Sequence, residues 1–360
     1  MTRDIMASKV FYASMKCRNT ESPLNKIKKL INKCCPENSY NKKDLVAIKL
    51  HFGELGNTAF IRPIYLRPVI ETMRRLGANP FLTDTNTLYA GMRTNSCDHI
   101  TNAQLNGFGY STLQTPIIIA DGLRGENTVT VPIPNGTSCK NAKLAADIIN
   151  ADGLFTVSHF KGHEMTGFGG ALKNLAMGCA SRSGKLDMHS NLRPEVNSHK
   201  CTACGRCKVN CQAGAITISK TAAINDNCTG CARCIAVCPE KAINVNYNVA
   251  CGELQKRIAE YASAVHGAFK NPPIYLNLLT SIVPACDCCG GNDAPMVQDL
   301  GFMTSLDPVA IDKASYDLVV QTAGKDVFKE KWTYLDPLEQ FHHAEKLQFG
   351  STDYELIKIS

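Results

Sequence analysis

The sequence lacks a membrane-length apolar run: nowhere in its 360 residues do the roughly 18 consecutive apolar positions of a span occur. Its first residues, MTRDIMASKVFYASMK, contain no basic stretch leading into a long apolar one, so no secretory leader is expected and a cytoplasmic location is. Lys/Arg runs and basic patches interleaved with aromatics are also missing, which argues against a nucleic-acid partner. No Gly-x-Gly-x-x-Gly turn follows the first apolar strand-like run, so a Rossmann-type dinucleotide site is not supported. With 44% hydrophobic and 20% charged residues the chain has the composition of a globular protein rather than a disordered one.

What it has in excess is cysteine, 18 in all. A chain this long, with no export signal, has no need of disulfide staples, and reducing compartments do not keep them. Metal or redox chemistry is the better expectation. Eight of the cysteines form an internal repeat: Cys201-x2-Cys204-x2-Cys207-x3-Cys211 recurs as Cys228-x2-Cys231-x2-Cys234-x3-Cys238, followed by Pro239. In the bacterial two-cluster pattern the fourth cysteine of each run ligates the other cluster. Cys201, Cys204, Cys207 and Cys238 are therefore expected to hold one [4Fe-4S] cluster, and Cys228, Cys231, Cys234 and Cys211 the second. Gln212 stands where the first run would have proline, which removes a rigid turn but no ligand. Paired zinc ribbons use C-x2-C pairs separated by a longer loop and do not place a cysteine three residues after the third. Two such clusters carry about −4 when oxidised, which reduces the formal charge of +7 to about +3.

On either side of this stretch, apolar runs alternate with helix-period segments. Leu45 to Leu50, Asn79 to Thr83, Pro116 to Ala120, Gly153 to Ser158, Ile274 to Ile282 and Leu300 to Thr304 are expected as buried parallel strands. Pro63 to Leu76, Asn141 to Asn150 and Glu253 to His266 are expected as helices. The fold class is thus α/β, a three-layer sandwich (residues 1–197 and 249–360) interrupted by a small α+β dicluster ferredoxin domain at 198–248.

The strands end in polar clusters. His51, Asp84, Asn86, Arg124, His159, Lys161 and His163 all fall at or just past such tips, the edge at which open α/β sheets bind ligands. Asp and Asn also serve there simply as turn formers and caps. After Gly153 to Ser158 comes a segment rich in Gly162, Gly167, Gly169 and Gly170 and closing on Lys173, whose backbone can approach an anion. It is not a Walker loop, because Asn174 follows the lysine, nor a zincin helix, because position 167 is not histidine. His159, Lys161, His163 and Lys173 are the expected catalytic groups, binding and protonating an acceptor. Cys286, Cys288 and Cys289, joined by Cys179 if the loops converge, are expected either to bind a further metal or to form a redox pair. Cys17, Cys34, Cys35, Cys97, Cys139 and Cys251 belong to no motif.

The segments KLHFGELGNTAFIRP, FLTDTNTLYAGMRTN, IIIADGLRG, SHFKGHEMTGFGGALKNLAMGCASRSGKLDMHS, CDCC and SLDPVAIDKAS resemble the iron-sulfur proteins called domain of unknown function 362. That family carries a ferredoxin insert at the same place, and its name supplies no reaction. A second likeness is to the nickel-pincer lactate racemases, which show a histidine before a Gly-Phe-x-Gly-Gly-x-Lys loop and a metal-binding histidine downstream. Here His163 precedes Gly167-Phe168-Gly169-Gly170, Lys173 is shifted by one position, His189 follows, and no Asp-x-Thr-Arg motif is present. This likeness implies a fold able to hold a small organic cofactor and metal, with His189 among the residues that bind it.

Together these readings give an oxidoreductase passing single electrons from a soluble ferredoxin-like partner through two clusters to an unidentified small molecule at the polar edge. The alternatives are a non-enzymatic electron carrier or assembly partner, and a racemase-like enzyme with structural clusters. Anaerobically purified protein should contain about eight iron and eight sulfide per chain. About four of each would overturn the crossover assignment, as would two intact clusters in both Cys211→Ala and Cys238→Ala.

Overall fold

The computed structural model describes residues 7–17 and 21–359. Eight strands form the main sheet: β1 Ser8–Ser14, β2 Leu45–Lys49, β3 Asn79–Asp84, β4 Ile117–Ile119, β5 Gly153–His159, β6 Ile274–Leu279, β7 Gly301–Ser305 and β8 Tyr354–Lys358. Their order is β8-β1-β7-β6-β5-β2-β3-β4. Strand β7 is antiparallel to both its neighbours, β1 and β6, while the other pairs are parallel, so seven strands point one way.

Alternate residues enter two separate cores, as the two-residue period of a strand requires. In β2, Val46 and Ile48 face one core while Ala47 faces the other; in β7, Phe302 and Met303 divide the same way. Helices α1 Pro23–Cys34 and α2 Arg67–Arg75 cover the first face. Helices α3 Ala171–Cys179, α5 Cys251–Gly267 and α6 Pro308–Ala323 cover the second, with α4 Arg182–His189 beside them. The result is the expected three-layer α/β sandwich. Among the described residues no helix is long and apolar enough to cross a membrane.

Two expectations are corrected. The run Leu300 to Thr304 forms an antiparallel strand, because the 280–300 connection returns to the same edge and Leu300 N–H donates to Leu279 O. Asn141 to Asn150 is not a helix. Its three alanines favour one, but Ala142 and Leu144 are both buried with Lys143 turned outward, and Asn141–Ala145 pairs antiparallel with Thr128–Pro132; only Ala146–Ile149 is helical. Strand β1 and the edge strand β8 beside it are not foreseen at all.

Within 198–248 the cysteine repeat recurs in the backbone. Cys201 and Cys228 stand 27 positions apart (228 − 201 = 27), and left-handed residues recur at that spacing: Ala203 and Gly230, Gly205 and Ala232, Gly214 and Lys241. Short helices Arg206–Val209 and Arg233–Val237 follow at the same offset. The segment also has a cluster of its own, in which Cys207, Ile216, Ile235 and Ile243 pack with Leu88 and Leu186 from outside it.

One buried carboxylate joins the two halves of the chain beneath the sheet edge. Asp312 of α6 accepts from the N–H groups of Ala171 (2.7 Å) and Leu172 (2.9 Å) at the start of α3, and from the Asn277 amide (2.7 Å) in β6. Asp312→Ala should lower unfolding free energy by about 2–4 kcal/mol in denaturant titrations, since three buried donors lose their acceptor. A loss near zero would mean that α3 is fixed by other contacts.

Candidate functional site

The parallel strands all deliver their C-terminal ends to one side of the sheet, and the loops there enclose a cavity of about 370 Å³. From the β2 and β3 tips come His51, Asp84, Thr85 and Tyr89; from β5 and the short ribbon Lys161–His163/Gly167–Gly169 come His159, Lys161 and His163. Lys173 projects from α3, Lys185 and His189 from α4, and Cys286, Cys288 and Cys289 from the β6–β7 connection.

Backbone approach is close because two positions carry no side chain. A Cβ on Gly162 would lie 2.2 Å from Pro284 O, and one on Gly170 would lie 2.3 Å from Asp312 Oδ1. The first fixes the ribbon against the cysteine loop; the second lets α3 start against its capping carboxylate.

Asp287 anchors the cysteine loop. Its carboxylate meets His159 Nδ1 at 2.8 and 3.0 Å and Lys161 Nζ at 3.2 Å, all of them buried. Burial works against the charged form, but His159 and Lys161 outweigh it and hold the carboxyl well below its usual range. His159 Nε2 faces Thr280 O at 2.8 Å, so the ring satisfies both neighbours only with hydrogen on both nitrogens. It is occupied with positioning and has no nitrogen free for a ligand.

The thiol of Cys286 lies within 3.5 Å of Lys173 Nζ and accepts the Cys288 N–H at 3.4 Å. It also shares a hydrogen bond with the Cys288 side chain, which is the main cause of its strongly lowered pKa; burial opposes this, and Lys173, His163 and Lys161 add to it. Cys288 is correspondingly pushed up, as the proton donor of the pair. His163 Nδ1 accepts the Met165 N–H (3.2 Å), which leaves Nε2 as the ring nitrogen able to donate into the cavity. Burial opposes the Lys173 ammonium, yet Cys286, Cys288 and Glu164 more than restore it.

Two more charged groups complete the floor. Lys49 Nζ bridges Asp84 (2.9 Å), Asn174 Oδ1 (2.8 Å) and Leu50 O (2.9 Å). Lys185 donates to Thr85, to Asn86 O (2.8 Å) and to Ala180 O (3.0 Å). Burial lowers His189 to about 3, with Lys173 next in influence; its ring packs edge-on against Tyr247 (5.1 Å) and its Nδ1 has no partner.

Of the expected site residues, His51, Asp84, His159, Lys161, His163, Gly169, Gly170, Lys173, His189, Cys286, Cys288 and Cys289 line this cavity. Four do not. Arg124 points to solvent. Asn86 is spent on Asp121 and Gly122 O, making the turn its residue type allows. Gly167 supplies a left-handed turn (φ 76°) against Pro337. Cys179 lies in the core, where burial pushes its thiol up to about 12, and the loops do not bring it to the other cysteines. Lys49, Lys185, Tyr89 and Arg93 were not foreseen. A lysine embedded in an apolar strand run, as Lys49 is in LVAIKLHF, was the available signal.

A second, smaller cavity is lined by Cys201, Cys204, Cys207 and Cys238 together. Backbone N–H groups of Ala222, Ala215 and Ala242 donate at 3.3 Å to the sulfurs of Cys201, Cys211 and Cys238. Cys234 lies within electrostatic reach of Cys231 and Cys228, and Arg233 within reach of Cys231 and Cys211. Among the described residues no three His, Cys, Asp or Glu side chains are gathered for a single metal ion.

The sequence profile of the family described as domain of unknown function (DUF362) matches residues 46–317. No curated protein sequence matches the chain. Among solved structures, the lactate racemase apoprotein from Thermoanaerobacterium thermosaccharolyticum aligns with a TM-score of 0.45 at 10% identity, covering 88% of this chain and 57% of that one. A structural-genomics crystal structure of a protein from Thermotoga maritima aligns with a TM-score of 0.42 at 11% identity, covering 84% and 59%. The chain thus spans less than two thirds of the length of either.

Burial lowers Lys185 from 10.5 to about 8, with Asp121 and Asp84 opposing the shift. Between those two values the folded state binds fewer protons than the unfolded one, so this group's contribution to stability rises with pH from about 8 to 10.5. The unfolding free energy of wild type minus that of Lys185→Met should therefore increase by about 3 kcal/mol across that window. A flat difference curve would show that Lys185 stays an ordinary ammonium.

Proposed function

The chain belongs to the DUF362 family, and we propose that it is an iron-sulfur electron-transfer protein that reduces or oxidises a small molecule in the 370 Å³ cavity. The observation that carries this reading is the meeting of Cys201, Cys204 and Cys207 with Cys238, the last cysteine of the other run, around one small cavity. Two [4Fe-4S] clusters bound by the eight repeat cysteines would supply single electrons at low potential. In this reading 198–248 is the cluster-binding insert and 1–197 with 249–360 the host.

The chain's own residues supply the remainder. Helix α4 spans the interval between the two: Arg182 near its start is within electrostatic reach of Cys234 and Cys231, while Lys185 and His189 further along line the cavity. Lys161, Lys173 and Lys185 favour an anionic acceptor, such as a carboxylate or phosphate. His163, hydrogen-bonded through Nδ1 to backbone, can pass a proton from Nε2. His159 and Asp287 position Lys161, and the glycines keep the wall close. The work suits a reducing cytoplasm and a soluble ferredoxin-like donor.

Anaerobic protein reduced by a ferredoxin-type donor should reoxidise when the small-molecule fraction of an anaerobic extract is added. Lys173→Met and His163→Gln should slow that step by about 100-fold or more while iron content and cluster spectra stay unchanged. Near-wild-type rates in both variants would make the chain a carrier that hands electrons to a protein. Loss of iron in either would make this segment structural.

A further inference from the structure

Three thiols in four residues form a gradient along the β6–β7 connection: Cys286 is buried, Cys288 half-buried and Cys289 exposed, and all three line the cavity. The loop that carries them is held at every carbonyl that matters. Glu54 N–H donates to Asp287 O (2.9 Å), Tyr89 Oη to Cys288 O (3.2 Å) and Asn57 Nδ2 to Cys289 O (3.1 Å). Between the first two thiols, the Asp287 side chain is drawn away to His159 and Lys161. The Cys288 N–H donates to the Cys286 sulfur at 3.4 Å, and both thiols line the cavity.

We propose that Cys286 and Cys288 are a dithiol–disulfide couple in this cavity, with Cys286 the attacking sulfur and a small anionic disulfide the class of molecule it meets. Residues two apart lie about 5–7 Å between Cα atoms, within the range a disulfide spans, so closing the bond needs side-chain rotation and little backbone movement. Lys173 Nζ and the Cys288 N–H stabilise negative charge on the Cys286 sulfur, the environment that makes a cysteine nucleophilic. Lys161 and Lys185 leave the cavity receptive to an anion.

The step balances. The Cys286 thiolate attacks one sulfur of RSSR, forming Cys286–S–SR and releasing RS⁻. Cys288 then attacks the Cys286 sulfur; its proton leaves with the second thiol, so that dithiol (one thiolate, one thiol) plus RSSR gives the internal disulfide, RS⁻ and RSH. Two electrons and one proton return the couple, the electrons from a low-potential one-electron donor or a dithiol. This deepens the electron-transfer reading of the same cavity, but the bond can be detected without electron transfer, so the two readings can fail separately.

The test uses the complete, anaerobically purified protein and glutathione disulfide as the anionic probe. After brief reaction the free thiols are alkylated, and non-reducing digests are read by fragmentation mass spectrometry. The expected product is a 286–288 bridge with iron content retained. Cys288→Ser should stop at a glutathione adduct on Cys286, Cys289→Ser should still form the bridge, and Lys173→Met should slow alkylation of Cys286 at neutral pH by about tenfold. An adduct or bridge confined to Cys288 and Cys289, with Cys286 unreacted, would overturn the proposal. So would an unchanged alkylation rate in Lys173→Met together with no bridge in the wild type.

Discussion

A single buried carboxylate, Asp287, holds the edge of this molecule together. An ionised group removed from water costs several kcal/mol unless it is paired and fully hydrogen-bonded, and Asp287 is paired twice, with His159 from β5 and Lys161 from the ribbon beyond it. Because His159 is itself pinned to Thr280 O, none of the three can move without exposing an unpaired charge in the interior. The cysteine loop, the strand tip and the glycine ribbon are therefore one rigid unit. The placement of Cys286 against Lys173 follows from it, since the chain has no freedom to swing away.

Charge balance around that unit explains why so many lysines can be buried together. Asp84 answers Lys49 and approaches His99, and Arg93 pairs with Glu54. Burial works against the charge on Asp84, but Lys49 and His99 outweigh it. His51, whose Nδ1 accepts the Gly53 N–H, is kept neutral by burial and by Arg93. Lys173 is answered by Cys286, Cys288 and Glu164, and Lys185 by Asp121 and Asp84.

The sheet and the location of the site were legible because both rest on local signals. Apolar runs such as Leu45 to Leu50 end in His or Asp, and a parallel sheet delivers all such ends to one side. The cysteine repeat was legible for the same reason. Asn86 and Arg124 share the strand-tip pattern with His51 and Asp84, but turn chemistry claims one and solvent the other, a choice made by long-range packing that no local pattern encodes. The strand Asn141–Ala145 was misread because intrinsic helix preference was overruled by pairing with Thr128–Pro132. Lys185 lay in a helix whose charged residues suggest a solvated face, and only the approach of Thr85 and Asn86 from β3 makes it a buried group.

The position of the cysteine repeat in the chain bears directly on what the cavity can receive. Glu195–Val196 pairs with Ile243–Asn244, so the segment leaves and re-enters the sandwich at adjacent points. Its return path begins with Tyr247, which packs on His189 and lines the cavity. The departing path is α4, tied near its start to the second cysteine run through its loop neighbour Glu126, which pairs with Arg233. Both connections thus run beside the cavity wall. Chain topology thus places both connections of the cysteine repeat beside the polar edge of the sheet.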